Sequence, residues 1–181
     1  MPSPQCKPRS NLKKGYSNLT RWALLFLGVF LFDFLSKSIV NAFLPMIQWG
    51  SAFPFGGVSL FDHFLGMSCA LVHTTNTGAA WGLFASFSYL LVPLRILAGA
   101  YLIWKAIQEP TRRLPFLLIA AGALGNAVDA FRFGHVVDMV LVKFGSYTYP
   151  VFNVADSSIF VGVCLLLLKS LFRTHETASA Q

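Results

Sequence analysis

The chain contains 181 residues, of which 55% are hydrophobic and 12% are charged, and its formal net charge is +7. Soluble domains carry roughly a quarter charged residues, so this composition excludes an ordinary soluble fold. The basic residues flank long apolar runs, which indicates contact with an anionic membrane leaflet, and nucleic acid is therefore not an expected partner.

Four apolar runs follow a polar N-terminal tail. Residues 1–18 show no hydrophobic period, and we predict a disordered cytoplasmic tail there. The first run, residues 19–40, is too long for a secretory signal core and continues into charged residues, which favours a retained helix over a cleaved signal peptide. Three later runs reach or approach the length of about 20 residues that a spanning helix needs, namely residues 89–107, 114–128 and 155–172. The sequence predicts an all-α membrane protein with four transmembrane helices, and a second cytoplasmic tail at 174–181.

The distribution of basic residues predicts the orientation of these helices. Lys and Arg of short loops stay on the cytoplasmic side of a membrane. Here they precede the first run, separate the second from the third and follow the fourth, whereas none lies between Lys37 and Arg95. We therefore expect both termini in the cytoplasm, with residues 41–88 and 129–154 outside it.

The two outer segments contain strand-like pieces. "GMSCALVHTTN", "VVDMVLV" and "YTYPVF" are rich in β-branched and aromatic residues. "NTGAAWGLF" is typical of a turn followed by an apolar anchor. We predict a small β-rich cradle or lid on the outer face, with an interfacial belt formed by Trp49, Phe53, Phe55, Phe61 and Trp81.

The cysteines and histidines do not indicate a metal site or a disulfide framework. The three cysteines are far apart in the chain, and the four histidines are scattered with no HExxH motif. We expect neither a metal ion nor another cofactor.

Charged side chains at membrane depth usually form pairs or take part in function. Asp33 and Lys37 are four residues apart on the first helix and share one face, so an ion pair that fixes the outer end of this helix is expected. Arg95 lies about one turn inside the second helix. It either neutralises a carboxylate of the bundle or extends to the lipid headgroups.

Three of the seven acidic residues, Asp129, Asp138 and Asp156, are expected near the outer interface. When two carboxylates lie close together, one of them retains a proton. Such a pair suits an aspartic protease, in which the ionised partner activates water and the protonated partner donates to the carbonyl under attack.

Structural roles for these carboxylates remain open from the residues alone. One alternative is that Asp156 only caps the fourth helix, where a carboxylate meets free N–H groups. In the same way, Asp129 could be a solvated carboxylate at a helix end, and Asp138 a charge in a loop. "GNAVD" and "FNVAD", however, place Asn126 and Asn153 each three residues before an aspartate. Asparagine amides in this position can orient a carboxylate pair and bind a peptide backbone.

Most of the chain, from Asp33 to the fourth helix, resembles the lipoprotein signal peptidases, also called signal peptidase II. The resemblance rests on "DFLSK", "NTGAAWGLF", "GALGNAVDAFRFGHVVDMV" and "FNVADSSI", in this order. Each motif alone is weak, whereas all four in this order and topology are specific. The resemblance implies a bacterial inner-membrane aspartic endopeptidase that acts on diacylglyceryl-modified prolipoproteins and cuts before the lipid-modified cysteine.

The resemblance also implies roles for individual residues. Asp138 and Asp156 become the catalytic pair, and membrane lipid surrounds an enzyme that we expect to be a monomer. The residues expected to support the pair or bind substrate are Asp33, Lys37, Asn76, Gly78, Arg95, Asn126, Asp129, Arg132 and Asn153.

The sequence departs from the family pattern at one position. Where the pattern reads Asn-x-x-Asp-Arg, Asp129 is followed by Ala130. Arg132 and Arg95 are the candidates to replace the missing arginine. A third alternative is that this chain positions the lipid headgroup or Asp129 differently.

Two other classes of function stay open. A catalytically impaired binding protein of the same fold would account for the departure at Ala130. A small transporter is disfavoured because the aspartates cluster at one face and no internal repeat is visible.

Overall fold

The computed structural model of the chain describes residues 9–77 and 88–178, with side chains described for 19–77 and 90–172. Four long helices and four strands make up this part of the chain. The elements in chain order are α1 (Arg9–Phe43), β1 (Val58–Phe64), β2 (Met67–Asn76), α2 (Ser88–Gln108), α3 (Arg113–Phe133), β3 (Val136–Phe144), β4 (Tyr147–Thr148) and α4 (Val154–Ala178). A 3-10 turn, Pro110–Arg112, joins α2 to α3.

The four helices are long and apolar enough to cross a membrane, which agrees with the four predicted spans. Their apolar windows are Leu19–Phe43, Leu90–Gln108, Pro110–Phe133 and Val154–Phe172. The window of α3 is 61% buried, compared with 17% or less for the other three, so α3 is the central helix. α3 contacts α1, α2 and α4, whereas α1 and α2 scarcely touch each other.

Small residues allow α3 to be central. A Cβ at Gly122 would clash with the backbone carbonyl oxygen of Ala155, and a Cβ at Gly125 would lie 2.5 Å from Asp33 Oδ2. Small residues let helix backbones approach closely in a membrane. α1 and α4 can therefore bring polar groups against α3.

Several helix ends differ from the prediction. Residues 9–18 and 174–178 are helical, although tails without regular structure were expected there. Extension of an existing helix is much easier than nucleation of a new one, and neither stretch contains a proline. α3 also continues five residues beyond the predicted limit of residue 128, because Gly134, with a left-handed φ of 74°, is the first residue that ends it. Residues 1–8 and 179–181, and the predicted apolar anchor with Gly78 and Trp81, lie outside the described residues.

The strands form one antiparallel sheet in the order β1-β2-β3-β4. β2, β3 and β4 correspond to the three strand-like pieces of the sequence. β1 was not predicted. All of its side chains are exposed, so its sequence lacks the alternation of buried and exposed positions by which a strand is recognised. The described chain thus combines helices with a sheet, and the all-α part of the expectation is not confirmed.

The sheet is attached to the helix ends that carry the acidic residues. Gly134 ends α3 and leads directly into β3. Phe152 pairs with Val140 of β3 just before α4 begins, with Val140 N donating to Phe152 O at 2.7 Å. The end of α3, the middle of β3 and the start of α4 are therefore held together.

A Gly125→Ala substitution tests the close approach of α1 to α3. We expect it to destabilise the protein by about 1–3 kcal/mol, because the added methyl group displaces the Asp33 carboxylate. The matched control is Gly28→Ala, whose added Cβ has no neighbour within 4 Å and which should be neutral or stabilising by up to about 1 kcal/mol. Unfolding in mixed detergent micelles measures both, and equal stability of the two variants would contradict the packing described here.

Candidate active site

The side chain of Lys37 is completely buried between α1 and α3. Its Nζ atom lies 2.8 Å from Asp33 Oδ2 and 3.3 Å from Asp129 Oδ2, and it donates a hydrogen bond to Asn126 Oδ1 at 2.7 Å. An unpaired charge at this depth would be strongly destabilising. The predicted Asp33–Lys37 pair is therefore present, and it extends to a second carboxylate and an amide on α3.

Asp33 also caps α4. Its Oδ1 atom accepts a hydrogen bond from the backbone N–H of Ala155 at 2.7 Å. Ala155 is the second residue of α4, where backbone N–H groups have no partner within the helix. The same carboxylate thus joins the C-terminal half of α1 to the start of α4.

Asp129 is part of the same buried network. It is 1% exposed, and its Oδ2 atom accepts a hydrogen bond from the backbone N–H of Val137 at 3.3 Å. The reading of Asp129 as a solvated carboxylate is wrong, because the chain folds back over it after Gly134.

Two asparagine amides connect this network to the proposed catalytic aspartates. Asn126 Nδ2 donates to Asp156 Oδ1 at 2.9 Å, and Asn153 Nδ2 donates to Asp138 Oδ1 at 2.6 Å. An ammonium group can only donate, so Lys37 requires the oxygen of Asn126 to face it and turns the NH₂ group toward Asp156. Lys37 therefore sets the direction of the hydrogen bond that Asp156 accepts.

Asn153 is the N-cap of α4, and Asp156 completes the cap. The backbone N–H of Asp156 donates to Asn153 Oδ1 at 2.8 Å, and the backbone N–H of Asn153 donates to Asp156 Oδ2 at 3.3 Å. This reciprocal pair is a capping box in which an aspartate replaces the usual Glu or Gln. Capping and membership of the site are thus compatible, because the cap holds the Asp156 carboxylate in place.

Asp138 lies on β3, is 4% exposed and is not a solvated loop charge. Burial, and secondarily the nearby negative charge of Asp156, raises its pKa to about 7, although hydrogen bonds from Asn153 and Asn76 oppose the shift. Asn76 reaches Asp138 because Thr74 stands opposite Asp138 in the sheet and Asn76 lies two residues further along β2. Below about pH 7, Asp138 carries a proton while Asp156 accepts two N–H hydrogen bonds.

Two cavities share Asn76, and Asp138 lines the larger of them. The larger one, about 400 Å³, lies over the sheet. Asp138 lines it together with Trp49, Thr74, Thr75, Asn76, Thr148, Tyr149, Pro150 and Val151. The smaller one, about 200 Å³, lies between α2 and the end of α3. Its lining is Asn76, Thr77, Val92, Arg95, Ala130, Gly134 and His135.

The two arginines that were candidates to replace the family arginine occupy different surroundings. Arg95 lines the smaller cavity opposite Ala130 and interacts electrostatically with Asp156 and Asp138. Arg132 is exposed at the end of α3, with its guanidinium carbon 4.7 Å from the ring centre of Phe34 and 4.5 Å from that of Phe133.

The structure thus brings together nine of the eleven residues singled out in the sequence. They are Asp33, Lys37, Asn76, Arg95, Asn126, Asp129, Asp138, Asn153 and Asp156. Arg132 lies apart from this group, and Gly78 is outside the described residues. Trp49 and Tyr149 were not predicted as cavity walls; for Tyr149, the aromatic residues and proline of "YTYPVF" were an available signal. Within residues 9–77 and 88–178, no three His, Cys, Asp or Glu side chains are grouped so as to hold a metal ion.

Comparisons with known proteins agree with this geometry. The family model described as Signal peptidase (SPase) II matches residues 25–172. The lipoprotein signal peptidase of Chlamydia pneumoniae is 35% identical over 165 residues, covering 87% of this chain and 95% of the relative. That of Sinorhizobium fredii is 32% identical over 162 residues, covering 87% and 90%.

A solved structure described as a bacterial membrane enzyme has a similar fold. It superposes with a TM-score of 0.73 at 27% identity, covering 86% of this chain and 90% of the other. The family match extends from α1 to α4 and includes every member of the buried network. The resemblance inferred from the four motifs is therefore confirmed, and the chain belongs to the signal peptidase II family of membrane peptidases.

Proposed function

We propose that this peptidase removes signal peptides from prolipoproteins whose cysteine carries a diacylglyceryl group, with Asp138 and Asp156 as its catalytic pair. The observation that carries the proposal is the arrangement of these two carboxylates. They come from different elements, interact electrostatically and are each held by one asparagine amide of a connected pair. The α4 span begins at Val154, so Asp156 lies at the membrane boundary, where a lipid-anchored peptide can reach it.

The chemistry follows from the different roles of the two carboxylates. Asp156, whose oxygens accept hydrogen bonds from Asn126 Nδ2 and from the backbone N–H of Asn153, takes a proton from a water molecule that attacks the scissile carbonyl carbon. Asp138 donates its proton to the carbonyl oxygen, so that the developing negative charge is neutralised. Asp156 then passes its proton to the leaving amine as the C–N bond breaks. A hydroxyl group of the intermediate returns one proton to Asp138 as the new carboxyl group forms, so the pair again holds one proton.

The larger cavity is suited to the peptide. Threonine and aromatic side chains line it, and Asp138 forms part of its wall. We propose that the small residues before the cleavage site lie there, with Asn76 bound to their backbone. The acyl chains of the cysteine then remain in the surrounding bilayer.

We propose that both termini face the cytoplasm and that the aspartates lie at the outer face of the membrane. The basic residues support this orientation, because Lys105, Arg112, Arg113 and Lys169 lie at the opposite end of the bundle from Asp156. A reporter inserted at Gly66, in the exposed turn between β1 and β2, should report an extracytoplasmic location, and a cytoplasmic signal would overturn the orientation.

We also propose that the enzyme acts as a monomer, since one chain supplies both aspartates and their hydrogen-bond partners. Light scattering of the active enzyme in detergent should give the mass of one chain.

Replacement of either catalytic aspartate tests the reaction directly. Asp138→Asn and Asp156→Asn should each lower cleavage of a diacylated proprotein substrate by at least about a thousandfold, because each removes one of the two proton transfers. Asp62→Asn is the matched control, because Asp62 lies on the exposed strand β1 outside the site. Cleavage at the normal rate by either active-site variant would contradict the assignment of Asp138 and Asp156 as the catalytic pair.

The proton on Asp138 also predicts a pH-dependent stability. The folded-state pKa of about 7 lies above the ordinary value of 3.8, so the contribution of Asp138 to stability is complete below pH 3.8 and is lost as the pH rises through 7. Between these two pH values, the unfolding free energy of the wild type should fall by about 1.4 kcal/mol per pH unit relative to that of Asp138→Asn. Unfolding titrations from pH 4 to pH 8 measure this difference, and a difference that does not change with pH would contradict it.

A further inference from the structure

The smaller cavity lies between α2 and the end of α3, next to the end of β2. α2 contributes Val92 and Arg95, and the end of α3 contributes Ala130 and His135. Asn76 belongs to both cavities, but Asp138 lines only the larger one. A substrate whose peptide fills the larger cavity therefore has a second polar recess next to its cleavage site.

The recess borders the lipid-facing surface. Arg95 is half-buried within the span Leu90–Gln108, and its neighbour Leu94 is 61% exposed at a position that a bilayer would cover. Ala130 ends in a methyl group and leaves space across from Arg95. A guanidinium group beside lipid, with a recess in front of it, can donate to an acceptor that enters from the membrane.

The charges around Arg95 favour an uncharged acceptor. Arg95 interacts with Asp156 and Asp138, so part of its positive charge is already balanced by a carboxylate. An anionic ligand would be repelled by the carboxylate, whereas a carbonyl oxygen accepts a hydrogen bond without adding a negative charge.

We propose that Arg95, in the recess that Ala130 leaves open, binds an ester carbonyl of the diacylglyceryl group on the substrate cysteine. This assignment rests on the proposed function and makes Arg95 a specificity-determining residue. The peptide before the cleavage site occupies the cavity over the sheet, and the glyceryl group of the following residue occupies the recess between α2 and α3.

A pair of substrates isolates this contact. One substrate carries the diacylglyceryl group, and the other carries a dialkyl ether analogue with the same chain lengths and no ester carbonyl. Arg95→Gln should lower kcat/KM for the ester substrate roughly ten- to a hundredfold, mainly through KM, because a hydrogen bond to a charged donor is lost. For the ether substrate the loss should be less than about threefold, since the wild type forms no such bond with it.

Comparison of the two losses separates substrate binding from a general effect. Any influence of Arg95 on the fold or on the charges of the aspartates applies to both substrates equally. An equal loss with both substrates would overturn the ester assignment, as would an unchanged kcat/KM for Arg95→Gln. Lys143→Gln is the control for loss of a positive charge, because Lys143 lies over Phe53 and Phe55 in the sheet and outside the recess.

A swap of the arginine across the recess provides a second test. In Arg95→Gln/Ala130→Arg the guanidinium group returns from the opposite wall, and we expect recovery of at least about a third of the wild-type preference for ester over ether. Failure to recover any preference would count against the recess as the site of the contact. If Arg132→Gln loses the preference for the ester substrate and Arg95→Gln keeps it, the ester contact belongs to Arg132 and the assignment to Arg95 is wrong.

These outcomes are distinct from failure of the proposed function. If the wild type cleaves neither substrate, the peptidase proposal fails first. If the wild type cleaves both and Arg95→Gln shows no selective loss, the assignment of Arg95 alone fails.

Discussion

The burial of the Lys37 ammonium group is the interaction on which the rest of the structure depends. It is fully enclosed and contacts carboxylates on α1 and α3, Asp33 and Asp129, together with the amide oxygen of Asn126. Removal of one partner from such a buried pair costs about 3–5 kcal/mol, because the remaining charge stays unpaired. A single cation therefore holds two helices together, and through the bond of Asp33 to Ala155 it also fixes the start of a third.

The same network also positions the proposed catalytic aspartates. Because Lys37 orients the amide of Asn126, the ion pairs at the centre of the bundle and the hydrogen bonds at Asp156 cannot be changed independently. Asn153 likewise has both a structural role and a role in the site, since it caps α4 and also donates a hydrogen bond to Asp138. The proton on Asp138 limits the negative charge that the site has to hold, which explains how several carboxylates can lie so close together below pH 7.

Local features of the sequence were sufficient to predict much of this arrangement. Four apolar runs predicted four helices, and the spacing of each Asn before an Asp pointed to the amides that hold the aspartates. The burial of Asp129 was not predictable, because it depends on the chain folding back after Gly134. The choice between Arg95 and Arg132 depends on the rotation of α2 and α3 about their axes, which neither helix determines alone. The exposed strand β1 has no amphipathic pattern, and it was not predicted because it forms by pairing with the neighbouring strand β2.

We propose that the lipid is part of the recognised substrate, because the carboxylates lie near the end of the α3 span and the start of the α4 span. The most direct measurement is cleavage by the purified enzyme of a proprotein peptide with a diacylglyceryl cysteine, compared with its unlipidated twin. We predict cleavage of the diacylated peptide at the bond before the cysteine, and little or no cleavage of the twin. Equal rates for the two peptides, or cleavage at another bond, would contradict the proposal that the lipid is recognised.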